Sequence, residues 1–235
     1  MIPLLEALRQ RHSVRRFTPR PLTADVRDVL EREISACNAE SGLHIQLVTD
    51  EPAAFKGLAS YGKFRGVTHY LVMAAPKGKE ADERVGYYGE RLVLVAQQHG
   101  LCSCWVGLTY RKVTGAFTLN DGERVACVIV LGYAEDHGVQ HKLRTPETFA
   151  QDYADAPQWY RQGIDAAVLA PSAINQQKYR FALEMCDDAR PIVHIHPGRS
   201  LVGYTRMDMG IAKLHFEIGA NDGHWGAKTF VWATP

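Results

Sequence analysis

The stretch GYYGERLVLVAQQHGL, residues 86 to 101, constrains the fold more than any other part of the chain. Its apolar residues cover much of a helix circumference, and the helical pattern stops at Gly100. A helix that is apolar on several sides must be covered by neighbours on those sides. The sequence therefore predicts a central, buried helix over residues 81–99.

The hydrophobic patterns elsewhere predict a mixture of helices and strands. Thr23 is placed to cap one of the helices, with Asp25 in its first turn. Five further helices are expected over residues 3–11, 23–37, 51–60, 157–169 and 205–220. Six strands are expected over residues 43–49, 69–75, 124–133, 179–185, 191–196 and 228–234.

The composition limits the number of domains, the partners and the cellular compartment that we expect for the protein. The chain has 235 residues, of which 46% are hydrophobic and 23% charged, enough for one large globular domain or two small ones. A net charge of +1 gives no overall field that would attract nucleic acid or an anionic membrane. No apolar run is long enough to span a bilayer, and the first ten residues lack a secretory signal pattern. Five cysteines without a paired CxxC motif indicate a reduced, cytoplasmic protein.

The two parts of the chain share a faint internal repeat. When Ala36 is aligned with Ala170, Ile45 falls opposite Tyr179, and each part shows a helix, a polar segment and a strand in that order. Gly86-Tyr87 and Gly203-Tyr204 each precede an amphipathic helix. Two halves of similar plan suggest a duplicated chain that folds as an internal pseudo-dimer.

A cluster of cations lies in RQRHSVRRF, residues 9 to 17, which we name the arginine segment. Ser13 stands among the cations, Val14 and Phe17 would anchor the segment on a core, and only Glu6 lies nearby in sequence. Guanidinium groups beside a hydroxyl suit the oxygens of a phosphate monoester. A solvated basic surface is the equally simple alternative. The cations here and just beyond are Arg9, Arg11, His12, Arg15, Arg16 and Arg20.

Two other segments carry groups that could join such a site. In HKLRTP, Lys142 and Arg144 would face one side of an extended chain and could complete a four-cation clamp with Arg11 and Arg15, although a polar exit loop is as good an interpretation. GLCSCWVGL, residues 100 to 108, is interpreted as a helix end that runs into an irregular segment. It offers an indole, and a glycine where the backbone could approach a flat ring.

The stretch APSAINQQKYRF, residues 170 to 181, reads as a tight turn that leads into a strand. Ser172, Asn175, Gln176 and Gln177 could face a planar polar ligand. The loop lies far from the arginine segment in sequence. A shared site would therefore require the two parts of the chain to meet.

The sequence has no GxGxxG, GxxxxGK[ST], HExxH or GxSxG motif, which removes support for the enzyme classes that these motifs mark. His194 and His196 form an HxH pattern on a predicted strand, with Asp208, His215 and His224 downstream. This pattern leaves a metal-dependent hydrolase as an alternative, although no carboxylate stands at an obvious ligand spacing.

Together these stretches resemble a known family. RHSVRRF resembles the R-x-S-x-R-x-F signature of the nitroreductase-like flavin oxidoreductases, and PSAINQQ resembles their P-S-x-x-N-x-Q loop. The run from Gly86 to Gly107 is similar to their central helix and the segment after it. Lys142-Leu-Arg144 resembles their closing K-x-R motif. The resemblance implies an α+β nitroreductase-like fold over residues 1–235.

One departure from the ordinary family explains why the two polar stretches lie far apart in the sequence. Ordinary members are homodimers in which the arginine-serine signature of one subunit and the P-S-x-x-N loop of the other hold each FMN. In this chain ACNAESGL follows the first long helix instead of that loop. The resemblance is therefore closest to the duplicated subgroup called putative TM nitroreductases. It implies halves over about 1–150 and 151–235, with one composite FMN site.

The resemblance also implies a function. A hydride would pass from NAD(P)H through flavin N5 to a nitroaromatic, quinone or similar acceptor in a ping-pong scheme, without a catalytic side chain. A monomer would suffice, without nucleic acid or membrane partners. The alternatives are a flavin-binding storage or sensing protein and the hydrolase using His194 and His196. The implied FMN-binding residues are Arg11, His12, Ser13, Arg15, Trp105, Val106, Gly107, Leu108, Lys142, Arg144, Pro171, Ser172, Asn175 and Gln177.

Overall fold

The helix at the centre of the protein is the one that the sequence predicted. In the computed structural model, which describes residues 1–56, 63–187, 189–200, 202–226 and 229–233, helix α3 spans Lys79–Gln98. The residues from Gly89 to Ala96 are all buried. Helices α1 (Leu4–Gln10), α2 (Ala24–Ser41) and α5 (Thr205–Ala220) pack against it, and a sheet covers the remaining side. Its apolar circumference is thus covered on several sides.

The first sheet is antiparallel throughout and contains four strands. They are β1 (His44–Val48), β2 (His69–Pro76), β3 (Cys102–Val106) and β4 (Glu123–Gly132). Their spatial order is β1-β2-β4-β3. Strands β2 and β4 are almost wholly buried because the sheet is covered on both faces, and they accordingly read as continuous apolar runs rather than as alternating patterns.

The second part of the chain forms a smaller sheet beside helix α4 (Gln158–Val168). Strands β5 (Tyr179–Glu184) and β6 (Ile192–Pro197) pair antiparallel, and β7 (Val231–Trp232) pairs parallel to β6. Tyr179 and Phe181 alternate with exposed residues and point into a core that includes aromatic side chains of α4 and α5. The order helix, strand, strand, helix, strand thus occurs in both parts of the chain.

Several sequence expectations need correction. Residues 102–106 form a strand and not a helix end, because one edge of the buried strand β4 pairs with them. In the expected helix over 51–60, the structure has only a 3₁₀ turn at Ala53–Phe55, and residues 57–62 lie outside the described part. The expected strand over 228–234 is limited to Val231–Trp232 among the described residues. Thr23 precedes α2, but its side chain makes no capping hydrogen bond.

The two parts of the chain are joined most closely where α3 crosses α5. A Cβ atom added at Gly86 would overlap the carbonyl oxygen of Met207, and one added at Gly210 would overlap the carbonyl oxygen of Glu83. Only glycine allows the two backbones to approach this closely. None of the helices in the described part of the chain is both long enough and apolar enough to cross a membrane.

The close crossing predicts the effect of a single methyl group. We expect Gly86→Ala to lower the free energy of unfolding by about 2–3 kcal/mol, because the new methyl meets rigid backbone and must push the helices apart. Gly89→Ala is the matched control on the same helix, since its methyl would meet only side-chain atoms of Trp105, Ile129 and Met73. Urea denaturation of both variants measures the difference, and equal losses would contradict this account.

Candidate functional site

The arginine segment leaves helix α1 at Arg11 and continues in an extended conformation beside strand β3. Ser13 forms a parallel bridge with Ser103, and the Val14 N–H donates to the Ser103 carbonyl at 2.9 Å. Val14 and Phe17 are buried, so the segment is anchored on the core at both positions, as the sequence predicted.

The cations of the arginine segment do not act as one group. Three of them are engaged away from any common centre: Arg9 pairs with Glu6, Arg16 with Glu135, and Arg20 lies over the ring of Tyr133. The expectation that only Glu6 offsets the cations is therefore wrong, because acidic residues distant in sequence also reach them. Arg15 is exposed, and its side chain has no hydrogen-bond or ion-pair partner among the described residues, although its carbonyl accepts from the Arg65 N–H.

Arg11 belongs to a buried polar network beneath the segment. Its side chain is only 2% exposed, and its Nε lies 3.5 Å from the carboxylate of Glu90, which is completely buried on α3. Trp105 donates its indole N–H to Glu90 at 2.9 Å, and His215 Nε2 contacts the other carboxylate oxygen, also at 2.9 Å. His215 Nδ1 faces the Ala166 carbonyl at 3.2 Å. The network joins α3, α5, β3 and the end of α1.

The hydrogen-bond partners of His215 determine the net charge of this network. A backbone carbonyl can only accept, so His215 Nδ1 carries a proton. An ionised carboxylate also only accepts, so the contact between His215 Nε2 and Glu90 needs one further proton on either group. The histidine and glutamate together are therefore neutral, and Arg11 adds one positive charge. A buried positive charge at this position favours an anionic ligand.

The 170–177 loop begins where α4 ends. Three of its residues have left-handed backbone conformations without being glycine: Ile174 at φ 48°, Asn175 at φ 56° and Gln177 at φ 49°. Such conformations are disfavoured and persist only where surrounding contacts hold them, often at binding sites. Ser172 supplies one contact, because its hydroxyl accepts from the Gln177 N–H at 2.9 Å. Pro171 is buried at the start of the loop.

Residues 138–144, which we name the bridging segment, connect the 170–177 loop with the arginine segment. At one end Gly138 packs against His12 and Ser13. At the other end the Lys142 carbonyl accepts from the side-chain amides of Asn175 and Gln177, each at 3.2 Å.

The polar side chains of the bridging segment lie between the two regions. Arg144 Nη2 donates to the Gln176 carbonyl at 3.4 Å. His141 contacts the Val168 carbonyl at 3.3 Å, and burial together with the charge of Arg11 lowers the pKa of His141. Lys142 and Arg144 are exposed. The bridging segment thus contacts both polar stretches, and a shared site between them stays a prediction.

The end of strand β3 forms another wall of the region. Trp105 is held by Glu90, Val106 is buried, and Leu108 is 81% exposed. Between them, Gly107 lies against the ring of Tyr204, so a side chain at position 107 would overlap that ring. The close packing of Tyr204 accounts for the glycine, and the approach of a flat ring to this backbone stays a prediction.

Three buried polar atoms in this region lack a hydrogen-bond partner among the described residues. They are Arg11 Nε, His12 Nδ1 and the side-chain oxygen of Gln177. Burial and the neighbouring Arg11 lower the pKa of His12, which therefore favours the neutral ring. Buried polar atoms are nearly always hydrogen-bonded in native proteins, so these three atoms are exceptions, and they occur in both polar stretches.

Sequence reasoning missed several residues that organise the region. Glu90 was not singled out, and Asp208 and His215 were considered only as companions of the HxH pattern. All three are buried charged or polar residues on largely apolar helices, and that contrast was the available signal. Gln176 and Gln177 do not face outward, because both are buried and the Gln176 amide donates to Asp208 at 2.7 Å.

The HxH pattern lies elsewhere, on strand β6. The rings of His194 and His196 stack with centroids 5.8 Å apart, and His194 pairs with Glu184 at 2.9 Å. Within the described ranges, no group of three or more His, Cys, Asp or Glu side chains could hold a metal ion.

The buried network predicts that loss of the Glu90 carboxylate strongly lowers the free energy of unfolding. Glu90→Ala should lower the free energy of unfolding by about 3–5 kcal/mol, because Arg11 would remain buried without a counter-charge. Glu135→Ala is the control, since its partner Arg16 is 60% exposed and such surface pairs contribute about 1 kcal/mol or less. Chemical denaturation distinguishes the two, and a small effect at Glu90 would contradict the buried network.

Comparison with known proteins agrees with this architecture. A putative nitroreductase from Thermotoga maritima matches 94% of this chain and 85% of its own, with a TM-score of 0.66 and 23% identity. The NfrA1 nitroreductase from B. subtilis matches 62% of this chain and 72% of its own, with a TM-score of 0.50 and 18% identity. No curated protein matches the chain.

These structural likenesses establish a nitroreductase fold with mixed helices and sheets. The profile of the family described as "Putative TM nitroreductase" matches residues 3–220, nearly the whole chain. The chain belongs to this nitroreductase family.

Proposed function

We propose that this protein is an FMN-dependent oxidoreductase that passes a hydride from NAD(P)H to a nitroaromatic, quinone or similar acceptor. One observation carries the proposal. The bridging segment contacts both the arginine segment and the 170–177 loop, and buried polar atoms of Arg11, His12 and Gln177 in these stretches lack a hydrogen-bond partner among the described residues. A cofactor with a phosphate at one end and a polar ring edge at the other would satisfy both sets of groups.

The phosphate would be held at the basic side of the site. Arg15, Lys142 and Arg144 provide exposed cations, and Arg11 provides the buried positive charge beneath them. The Ser13 hydroxyl would add a short hydrogen bond. Charge-assisted hydrogen bonds of this kind are about twice as strong as those between neutral groups.

The flavin ring and ribityl chain would lie toward the 170–177 loop. Asn175, Gln177 and Ser172 would bind the pyrimidine edge or the ribityl hydroxyls, with Pro171 shaping the start of the loop. His12 would contact the ribityl chain or the ring edge. The backbone of Trp105, Val106, Gly107 and Leu108 would approach the reactive side of the ring, where Gly107 carries no side chain.

Bound FMN would supply the redox chemistry, accepting a hydride at N5 from NAD(P)H and passing it on to the acceptor. The residues of the chain bind and orient the cofactor, and none of them needs to act as a general acid. The buried charge of Arg11 favours negative charge on the bound ligand. Reduced nicotinamide cofactors are available in the cytoplasm, where we place the reaction.

We further propose that the chain is an internal pseudo-dimer with one composite site. The repeated order of elements supports this, as does the pairing of α3 with α5 through Gly86 and Gly210. The first half would contribute the arginine segment, and the second half the 170–177 loop. One polypeptide would then bind one FMN, and a monomer would suffice.

Spectroscopy of the purified protein tests the cofactor assignment. We expect a yellow protein with the absorbance of oxidised flavin and one FMN per chain at saturation. Steady-state oxidation of NADH or NADPH with a quinone then tests turnover. Stoichiometric FMN without turnover would favour a storage or sensing protein, and failure to bind FMN would contradict the proposal altogether.

A pair of adjacent arginines tests the proposed phosphate contact. Arg15→Ala should weaken FMN binding by about 1.5–3 kcal/mol, roughly ten- to a hundredfold in Kd, because a charge-assisted hydrogen bond is lost. Arg16→Ala should leave the Kd nearly unchanged, since Arg16 is engaged by Glu135 and Asp136. Flavin fluorescence quenching measures both, and equal effects would show a general dependence on charge instead of a defined site.

A further inference from the structure

A further inference concerns Asp208 and rests on the proposed function. Asp208 lies in the first turn of α5 and is only 2% exposed. Its carboxylate accepts from two groups of the 170–177 loop: the Ala173 N–H at 2.9 Å and the Gln176 side-chain amide at 2.7 Å. A buried carboxylate is thus directed at the loop.

The loop depends on contacts of this kind. Ile174, Asn175 and Gln177 all have positive φ, so the loop is poorly suited to hold its conformation alone. The Lys142 carbonyl supports Asn175 and Gln177 from one side. Asp208 supports residues 173 and 176 through different groups of the loop. The two proposed flavin-binding amides therefore sit within a loop that is held from two directions.

The position of Asp208 is itself fixed by the helix crossing. Its neighbour Met207 contacts α3 at Gly86, and Gly210 contacts α3 one turn of helix later. The closest contact between the two parts of the chain therefore flanks Asp208 on both sides. Gln176 extends the support by donating to the Gly203 carbonyl at 3.0 Å and by accepting from the hydroxyl of Ser200.

We propose that Asp208 is a positioning residue for the flavin loop. Its carboxylate accepts from Ala173 and Gln176 and thereby holds the loop so that Asn175 and Gln177 can meet FMN.

The surroundings of Asp208 set the pKa of its carboxyl. Burial raises the pKa of Asp208 to about 6, and the hydrogen bonds from Ala173 and Gln176 oppose the rise. The loop itself contributes no ionisable group. Among the described residues, the titratable or charged groups that face this region from other elements are Tyr179 on β5 and Arg144 on the bridging segment.

The direction of the pKa shift excludes one form of pH dependence. Protonation favours the conformation in which a carboxyl has the higher pKa, and burial beside the held loop raises the pKa of Asp208. Acid therefore does not release the loop through this carboxyl, and substitution at neutral pH tests its role.

Asp208→Ala tests the proposal, with Glu217→Ala as the control. Glu217 is also buried on α5, and its carboxylate accepts three hydrogen bonds, from Tyr87, Trp232 and Gly226, but none from the loop. At about pH 7.5 Asp208→Ala should weaken FMN binding at least about tenfold, because the Ala173 N–H and the Gln176 amide lose their acceptor, while Glu217→Ala leaves the Kd unchanged. Asp208→Asn keeps one acceptor oxygen and should recover part of the affinity.

Gln176→Ala provides a second variant that keeps Asp208 in place, and it should also weaken FMN binding. Equal Kd values for wild type and Asp208→Ala would overturn the role of Asp208 alone. A wild-type protein that binds no FMN would overturn the proposed function together with this inference.

Discussion

The closest approach of α3 and α5 is the constraint on which the rest of the structure depends. Gly86 and Gly210 allow the two backbones to touch, and no other residue type would leave room for both contacts. Because α3 belongs to the first part of the chain and α5 to the second, this crossing sets how the two parts face each other. The 170–177 loop is hydrogen-bonded to Asp208 of α5. Its position relative to the arginine segment therefore depends on the crossing of α3 and α5.

The polar network around Glu90 ties the same elements together by charge. Arg11, Trp105 and His215 come from three different elements and meet at one buried carboxylate. A buried charge is tolerated only when it is paired and hydrogen-bonded, so the network strongly favours one arrangement of these elements. It also carries one buried positive charge, on Arg11. Packing and electrostatics therefore support a single anion-binding site built from both parts of the chain.

Local sequence patterns predicted most of the helices and strands. Helix α5 has the expected ends, Val14 and Phe17 anchor the arginine segment, and the 170–177 loop forms a turn before a strand. Strand β3 was missed because five mostly buried residues show no alternation, and pairing with β4 determines their conformation. The roles of Glu90 and Asp208 were also missed, since their partners are distant in sequence and only the tertiary structure identifies them.

The central claim is that one FMN contacts both parts of a single chain. Hydrogen–deuterium exchange during a titration with FMN tests it most directly, because it reports each segment separately in one protein. The account predicts that exchange slows in residues 11–17 and in residues 172–178 together, with the same half-saturating concentration and an end point of one FMN per chain. Protection confined to one of these segments, or protection of the two at different FMN concentrations, would contradict it.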